Sequence, residues 1–440
     1  MRTINVNEIL DNSKFNRFYF NTYMICLCIM IFDGYDMNIF GVIIPNMMQE
    51  LQLSAAQIGI IASSALYGMI FGSVISGMIA DKIGQKKAII LGIVVYSVFT
   101  GLIGFANSQT ELIIYRFLAG FGLSGVVPNV IAYVAEYTPK NVRGFLLTVI
   151  SIGINIGAML AALLGILLIS VYGWRMMFWI AFLPMIMAFF VYFFLPETMV
   201  QYVKKGDKGS ISKTLEKANP EFVAEKDDEY KLNSVKSAQV PFISLFKHGL
   251  ARNTILFWIA YFMNLFMIFA LSTWLPKLLT MMGYSLGSSL WLLLVFNIGS
   301  ILGTFFGGWA GPKYGYQRIL ILYYLIAAVL ISTLAIKPTL LILSLVLFLA
   351  GTAVLGIQNL FNSYVSQCYP VTFRSTALGC GLGVGRLGGA IGPTIGGFLL
   401  ASQVPMEFSF IVFAIPAVIG AIVVFASKDN TKKQFLEVPQ

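Results

Sequence analysis

The sequence has 440 residues, of which 58% are hydrophobic and only 11% are charged, and its formal net charge is +10. An ordinary soluble domain carries about a quarter of charged residues, so this chain cannot cover itself with a polar surface in water. These figures exclude a soluble globular protein and a disordered one. Four cysteines and one histidine also exclude a disulfide scaffold and a histidine-based metal enzyme, so we predict no metal and no cofactor.

Twelve apolar runs are long enough to cross a bilayer, which takes about 20 residues in a helix. A polar stretch separates the first six runs from the last six. We therefore predict an all-α membrane protein with a six-helix bundle over 1–196, a solvated cytoplasmic linker over 197–250 and a second six-helix bundle over 251–440. The predicted spans are 18–44, 56–80, 88–106, 110–135, 144–170, 174–195, 251–275, 286–311, 318–336, 339–365, 374–402 and 405–427.

Basic residues collect in alternate connections between the spans, as at Lys14, Lys82, Lys140, Lys313 and Arg374. Basic connections stay on the cytoplasmic side of a membrane. The pattern predicts a multi-pass protein of the plasma membrane with both termini in the cytoplasm. Because topology accounts for the basic excess, no nucleic-acid partner is predicted. We expect a monomer in contact with membrane lipid.

The two halves of the chain repeat each other without a gap when one is shifted by 231 residues against the other. An even number of spans in each repeat makes the halves parallel, and such transporters bind substrate between the halves and expose it to alternate sides. The repeat therefore predicts a transporter. The matches that fix the register are Pro45 with Pro276, Gly84 with Gly315, Gly120 with Gly351, Arg143 with Arg374, and Gly157 with Gly388.

Two segments resemble the signatures of the major facilitator superfamily. The loop 77–87 (GMIADKIGQKK) resembles the signature between helices 2 and 3, and residues 116–125 (RFLAGFGLSG) resemble the helix-4 signature. The resemblance covers all twelve spans and implies the major facilitator fold, with two pseudo-symmetric six-helix bundles. One departure is that Pro312 fills, in the second half, the position of Asp81.

Two shorter motifs resemble those of the aromatic acid:proton symporters. They are residues 33–36 (DGYD) in helix 1 and residues 383–388 (GVGRLG), followed by a Gly-Pro pair at 392–393, in helix 11. The resemblance implies secondary active transport, in which protons drive the uptake of an aromatic or related small organic carboxylate. The partners it implies are the organic acid and protons.

Four charged residues lie well inside the predicted spans, where a charge costs at least about 2.5–3.5 kcal/mol. None has its counterpart in the other half, so they mark specialised positions. We expect Asp36 and Arg116 to pair within the first half, and Asp33 and Arg386 to face each other across a cavity near the middle of the membrane. Purely structural ion pairs are the alternative. The residues aligned with Asp33, Asp36, Arg116 and Arg386 are Asn264, Met267, Leu347 and Asn155.

These charges suit the two tasks of a proton-coupled carrier. A buried carboxylate can bind and release a proton, which assigns proton coupling to Asp33 and Asp36. A guanidinium grips both oxygens of a carboxylate in one plane, which makes Arg386 the predicted anchor of the substrate. Other candidate contacts to substrate are Arg116, Tyr35, Gln358, Asn359 and Tyr364.

Polar residues at the cytoplasmic ends of the spans are candidates for a gate. Asp81, Lys82 and Gly84 lie in the loop after the second span, where the acid can pair with basic groups or a helix N-terminus and close the cytoplasmic side. Glu136 and Arg143 flank the next cytoplasmic turn, and we expect them to belong to one network.

Other functions stay open at this point. Sugar porters share the turn 173–175 (GWR) and an ending like that of 195–198 (LPET), but they need no arginine at mid-membrane. Drug efflux antiporters usually carry a Gly-Pro motif in helix 5, which here has no proline. A non-transporting membrane sensor would add a long signalling domain. No nucleophile–base set indicates an enzyme, and the sequence does not name the acid.

Overall fold

The computed structural model describes residues 2–225, 228–232, 242–247, 249–336, 339–402 and 405–428. Within these ranges twelve helical segments are long and apolar enough to cross a membrane, which confirms the predicted fold class. We number them spans 1 to 12. They are Arg17–Leu51, Ala55–Ile83, Gln85–Ile103, Gln109–Glu136, Lys140–Tyr172, Arg175–Phe194, Ala251–Met281, Leu286–Tyr314, Tyr316–Ile336, Leu340–Cys368, Arg374–Ala401 and Met406–Ala426.

Several spans are longer than predicted or are interrupted. Span 1 continues through Pro45 to Leu51, well past the expected end at 44. Three other spans are interrupted and consist of shorter helical segments. Span 4 consists of Gln109–Leu123 and Val126–Glu136, span 6 of Arg175–Trp179, the 3-10 turn Ile180–Phe182 and Pro184–Phe194, and span 9 of Tyr316–Thr333 and the 3-10 turn Leu334–Ile336.

Local sequence signals explain where span 2 begins and ends. A capping box starts it, because Ser54 accepts a hydrogen bond from the backbone of Gln57 and the Gln57 side chain accepts one from the backbone of Ser54. Gly84 ends it with a φ of 96°, and Gly315 ends span 8 with a φ of 97°. Positive φ values are readily adopted only by glycine, so these aligned glycines make the same turn in both halves.

The first and fifth helices of each half cross at aligned glycines. A methyl group built on Gly157 of span 5 would lie 1.9 Å from the carbonyl oxygen of Ile31 in span 1. A methyl group on Gly388 of span 11 would lie 2.1 Å from the carbonyl oxygen of Phe262 in span 7. Only glycine permits such close backbone contact. The crossing of spans 1 and 5 is therefore repeated by spans 7 and 11.

The two halves contact each other on the side of the membrane opposite the linker, which we call the far side. Span 1 meets span 7 there, since a methyl group on Gly41 would lie 2.3 Å from the carbonyl oxygen of Ser272. Spans 2 and 11 also meet, and the hydroxyls of Ser63 and Thr394 lie 2.7 Å apart in a hydrogen bond. The far side is therefore closed by packing between the halves.

The linker is more structured than predicted. It contains the helices Met199–Lys205 and Lys208–Ala218, in which Ile211 and Leu215 are buried. Its strand β2 (Glu229–Lys231) pairs in parallel with the N-terminal strand β1 (Thr3–Asn5). Residues 226–227, 233–241 and 248 of the predicted linker lie outside the described part. The remaining elements are the helix Val6–Asn12 and the 3-10 turns Phe242–Phe246 and Val371–Phe373.

Candidate functional site

A cavity of about 250 Å³ lies between the two halves and is lined by all four intramembrane charges. Span 1 contributes Asp33 and Asp36, span 4 contributes Arg116, and span 11 contributes Arg386. The crossing of spans 1 and 5 holds the two aspartates against this space. Two acids and two guanidinium groups from three helices therefore border one cavity.

Asp36 and Arg116 belong to the part of the cavity nearer the far side. The Thr100 hydroxyl donates a hydrogen bond of 2.5 Å to Asp36 Oδ1, and the Arg116 guanidinium lies 4.6 Å from the centre of the Phe40 ring. The charges of Asp36 and Arg116 attract each other. None of the ion pairs within 4.0 Å in the described ranges joins them, so the predicted pair is electrostatic and not a direct contact.

Asp33 is 2% exposed, and its Oδ1 has no hydrogen-bond partner among the described residues. Its charge interacts with those of Asp36 and Arg386. The buried Nε of Arg116, which lines the same cavity, has no partner among the described residues either. Buried polar atoms without partners are uncommon in folded proteins. The cavity therefore presents both an acceptor and a donor that a polar ligand could engage.

A second cavity, of about 300 Å³, continues from the first toward the linker side. Asn155 lines both cavities. Exposed Thr148 of span 5 and exposed Asn359 of span 10 line the second one, and Asn359 donates a hydrogen bond of 3.1 Å to Thr304 of span 8. The central cavity is thus approached from the linker side, while packing between the halves closes the far side.

Two predicted contact residues point away from the central cavity. The Tyr35 hydroxyl donates a hydrogen bond of 2.7 Å to the carbonyl of Met177 in span 6, and its side chain is 1% exposed. Gln358 accepts a hydrogen bond of 2.6 Å from Asn264. Both side chains are used within their own half, and neither is among the described residues that line the central cavity.

The Tyr364 side chain also makes a contact within its own half. Its hydroxyl lies 3.0 Å from the Ser427 hydroxyl, directly after span 12. The aligned Tyr133 donates a hydrogen bond of 2.8 Å to the carbonyl of Pro196, directly after span 6. Pro196 and Ser427 are themselves aligned in the repeat. The two tyrosines therefore contact the same aligned position in both halves, a backbone carbonyl in the first and a side-chain hydroxyl in the second. This identifies a shared scaffold feature and corrects the expectation of substrate contact.

The predicted gate residues do not form one network. Asp81 and Lys82 are exposed, and neither makes a hydrogen bond or ion pair in the described part of the chain. Glu136 accepts a hydrogen bond of 2.6 Å from the backbone of Met199 at the start of a linker helix. These groups surround the linker-side ends of spans 2 and 4.

Arg143 reaches a different partner from Glu136. It pairs with Asp11 of the N-terminal helix and donates hydrogen bonds of 3.1 and 2.8 Å to the carbonyl of Thr138. The expected joint network of Glu136 and Arg143 is therefore absent among the described residues. Glu136 instead connects the linker to the first half, and Arg143 connects the N-terminal helix to it.

Several residues that border the cavity were missed by the sequence reasoning. They include neutral polar side chains from both halves. In the sequence they have no signal beyond a polar residue in an apolar span, whereas a charge at mid-membrane is conspicuous. These neutral polar side chains are Asn38, Ser124, Asn155, Ser272, Thr273 and Asn297.

The sequence of this chain was compared with known protein families. A model described as the Major Facilitator Superfamily matches residues 26–379 and 289–439. The chain belongs to the Major Facilitator Superfamily. Solved members of similar fold include the xylose transporter XylE from E. coli, in a partially occluded inward open conformation, at a TM-score of 0.73, 16% identity, and coverage of 95% of this chain and 100% of that one. A likeness at this level of identity shows the fold alone.

Relatives of higher identity have names that agree on one kind of cargo. The benzoate transport protein of Acinetobacter baylyi is 38% identical, over 98% of this chain and 94% of the relative. The gentisate transporter of Corynebacterium glutamicum is 33% identical, over 89% and 84%. The 4-hydroxybenzoate transporter PcaK of Acinetobacter baylyi is 31% identical, over 96% and 94%.

These findings confirm the predicted superfamily and the resemblance to aromatic acid transporters. Together with the twelve apolar helices, they make the chain a multi-pass membrane transporter rather than an enzyme.

Proposed function

We propose that this transporter is a symporter that uses protons to drive the uptake of an aromatic carboxylate by alternating access. The observation that carries the proposal is that the central cavity between the halves is lined by two acids and two guanidinium groups that the repeat does not share. The named cargoes of the relatives, all of them aromatic acids, supply the substrate class.

Arg386 is the proposed anchor of the substrate carboxylate. Its guanidinium can donate two parallel hydrogen bonds to both carboxylate oxygens, and it borders the cavity from the second half. Apolar side chains such as Phe269 and Leu66 border the same space and can receive the ring. A cavity of about 250 Å³ suits a molecule with one aromatic ring.

Asp33 is the proposed proton carrier. It lies opposite Arg386 and beside Asp36, so its charge state responds to the carboxylate that Arg386 binds. Substrate and proton enter together from the far side, and the neutralised cavity allows the halves to rock. Each unit of pH difference then supplies about 1.4 kcal/mol per proton, or roughly tenfold accumulation.

The linker side is the proposed cytoplasmic side, with both termini and the linker in the cytoplasm. The alternate pattern of basic connections supports this orientation. The polar cavity at Asn155, Thr148 and Asn359 is then the release route for substrate. Asp81 and Lys82, which have no hydrogen bond or ion pair among the described residues, are expected to find partners when the linker side closes.

The experiment that tests the proposal uses Asp33→Asn, which keeps the shape of the side chain and removes its titration. Uptake of labelled benzoate is followed in cells with and without a proton uncoupler, and counterflow is measured in parallel. We expect wild-type accumulation to be lost with the uncoupler, and the variant to exchange benzoate without concentrating it. Glu216→Gln, a change at an exposed linker acid, serves as the matched control and should behave like wild type.

Two results would contradict the proposal. Accumulation by Asp33→Asn at the wild-type level would remove the proton role of Asp33. Wild-type uptake that is unaffected by the uncoupler would remove proton coupling altogether.

A further inference from the structure

Span 3 has a face of buried hydroxyl groups that have no role in the proposed mechanism. Tyr96, Ser97 and Thr100 are each at most 1% exposed, and the i, i+1, i+4 spacing places them on one side of the helix. None of the described residues that line the central cavity comes from span 3. These hydroxyls therefore lie behind the site, in a helix whose other buried residues are mainly apolar or glycine.

Thr100 is bonded directly to the site, through its hydrogen bond of 2.5 Å to Asp36. Tyr96 lies within electrostatic range of both Asp33 and Asp36. Its hydroxyl lies close to that of Ser97, yet neither makes a hydrogen bond of normal geometry within the described residues. Asp33 Oδ1 is likewise buried and unpartnered. An unsatisfied acceptor and unsatisfied hydroxyl groups therefore occupy the same region.

The internal repeat shows that these hydroxyls occur only where the acids occur. The register holds on both sides of span 3, through the aligned glycines at 84 and 315 and at 120 and 351. Span 9, which is the counterpart of span 3, has apolar residues at the three positions, and span 7 has no acid at the two aspartate positions. The counterparts of Tyr96, Ser97 and Thr100 are Ala327, Ala328 and Ile331, all buried.

We propose that Tyr96, Ser97 and Thr100 form a positioning layer that assigns different tasks to the two aspartates. Thr100 holds Asp36 as a fixed anion opposite Arg116, and Tyr96 is the hydroxyl that accepts a hydrogen bond from Asp33 when Asp33 carries the transported proton. This inference rests on the proposed proton-coupled function.

The chemistry of the hydroxyl group explains the two roles. A hydrogen bond donated to a carboxylate favours its ionised form, whereas a hydrogen bond accepted from a carboxylic acid favours its protonated form. A tyrosine hydroxyl can do either. The charged groups that interact with these hydroxyls are Asp33 and Asp36. Beyond them, Arg386 interacts with Asp33, and Arg116 and Tyr35 interact with Asp36.

The layer predicts opposite shifts in the pH profile of transport. In Thr100→Val, Asp36 loses the donor that favours its ionised form and shares the transported proton with Asp33. The pair then holds one proton up to a higher pH, so the alkaline limb of benzoate uptake moves to higher pH. In Tyr96→Phe, protonated Asp33 loses its acceptor, so the alkaline limb moves to lower pH. We expect each shift to be about half to one pH unit, the effect of one hydrogen bond.

The experiment measures initial rates of labelled benzoate uptake in proteoliposomes across pH, with protein-free liposomes subtracted. Thr100→Ser keeps the hydroxyl and should restore the wild-type profile. Tyr323→Phe is the matched control, because it removes a buried hydroxyl that donates 2.9 Å to the carbonyl of Gly303 in the second half, and it should leave the profile in place. If Thr100→Val does not reach the membrane, Thr100→Ala takes its place.

Unchanged profiles in Thr100→Val and Tyr96→Phe, or shifts in the same direction, would overturn the positioning layer. Failure of the proposed function looks different, because wild-type uptake would then be insensitive to the uncoupler. A wild type that is coupled, with variants that keep its pH profile, rejects only this inference.

Discussion

The two halves of this transporter share a scaffold but differ in their chemistry. Gly157 and Gly388 make the same helix crossing, and Tyr133 and Tyr364 tie the same helix ends. At the position of Asp33, however, the second half has Asn264, which is hydrogen-bonded to Gln358. The first half thus keeps acids in a cavity where the second half keeps neutral amides in a packed bundle.

This difference shows how a duplicated membrane fold can carry one site. Residues that determine helix packing recur in both copies, because both bundles must solve the same packing problem. The charged residues inside the membrane do not recur, because each additional buried charge without a partner would reduce stability. A mismatch within the repeat is therefore better evidence for function than a match.

The largest expected effect comes from replacing Arg386 of the second half by asparagine, the residue that the first half has at the aligned position 155. Arg386→Asn should weaken the apparent affinity for labelled benzoate by about 10- to 150-fold, the worth of charge-assisted hydrogen bonds of about 1.5–3 kcal/mol. Competition binding to purified protein measures it. Arg318→Asn, at the linker-side end of span 9, is the control. An affinity of Arg386→Asn within twofold of wild type would remove the substrate role of Arg386.

The scaffold should respond equally in both halves. Gly157→Ala and Gly388→Ala each place a methyl group within about 2 Å of a backbone carbonyl oxygen, so the crossing helices must separate. We expect each variant to lose about 1–3 kcal/mol of stability. The midpoint of thermal unfolding in detergent measures the effect, with Gly144→Ala as the control, because a methyl group there meets nothing within 4 Å. Strongly unequal losses would show that the two crossings are not equivalent.

A smaller effect is expected at the tie between the N-terminal helix and span 5. Arg143 and the aligned Arg374 both donate a hydrogen bond to the carbonyl five residues earlier, but only Arg143 also pairs with Asp11 among the described residues. Both side chains of that pair are about one-third exposed, so Asp11→Asn should cost less than about 1 kcal/mol. Unfolding in low and high salt measures it, and a larger, salt-independent loss would contradict this account.

The smallest effect concerns acid and the strand pair. Asp228 accepts a hydrogen bond of 2.9 Å from the backbone of Glu225 and pairs with Arg2 at 3.0 Å, and both contacts lower the pKa of its carboxyl group. A lowered pKa means that this stabilisation is present above the ordinary pKa of about 3.9 and is lost as pH falls below it. The protection of the Thr3–Asn5 amides from hydrogen exchange, taken relative to the intrinsic rate at each pH, should therefore fall near pH 3 but not between pH 8 and pH 5. Equal protection at all these values would contradict the contribution of Asp228.

Much of the fold could be predicted from the sequence, because twelve long apolar runs leave few arrangements in a bilayer. The four charges were also predictable, since a charge in an apolar span is rare. The rotation of each helix about its axis could not be predicted. This rotation decides whether the Tyr35 side chain reaches the cavity or, as in the structure, the carbonyl of Met177. Thr100 was missed for the same reason, because a threonine gives no sign of the distant carboxylate it binds.

The pairing of β1 with β2 was also beyond the sequence. Each strand has three residues, and the two lie more than 220 residues apart in the chain. Segments this short carry no recognisable pattern, and their pairing depends on the linker helix and the N-terminal helix being held against the first half.

The most direct test of the central claim is the movement of protons with substrate. Purified protein in proteoliposomes, with the membrane potential clamped at zero and a pH-sensitive dye inside, receives benzoate outside at equal pH on both sides. We predict that wild type acidifies the interior faster than protein-free liposomes and that Asp33→Asn does not. Benzoate entry through the wild-type protein without additional acidification, or acidification by Asp33→Asn at the wild-type rate, would contradict the account.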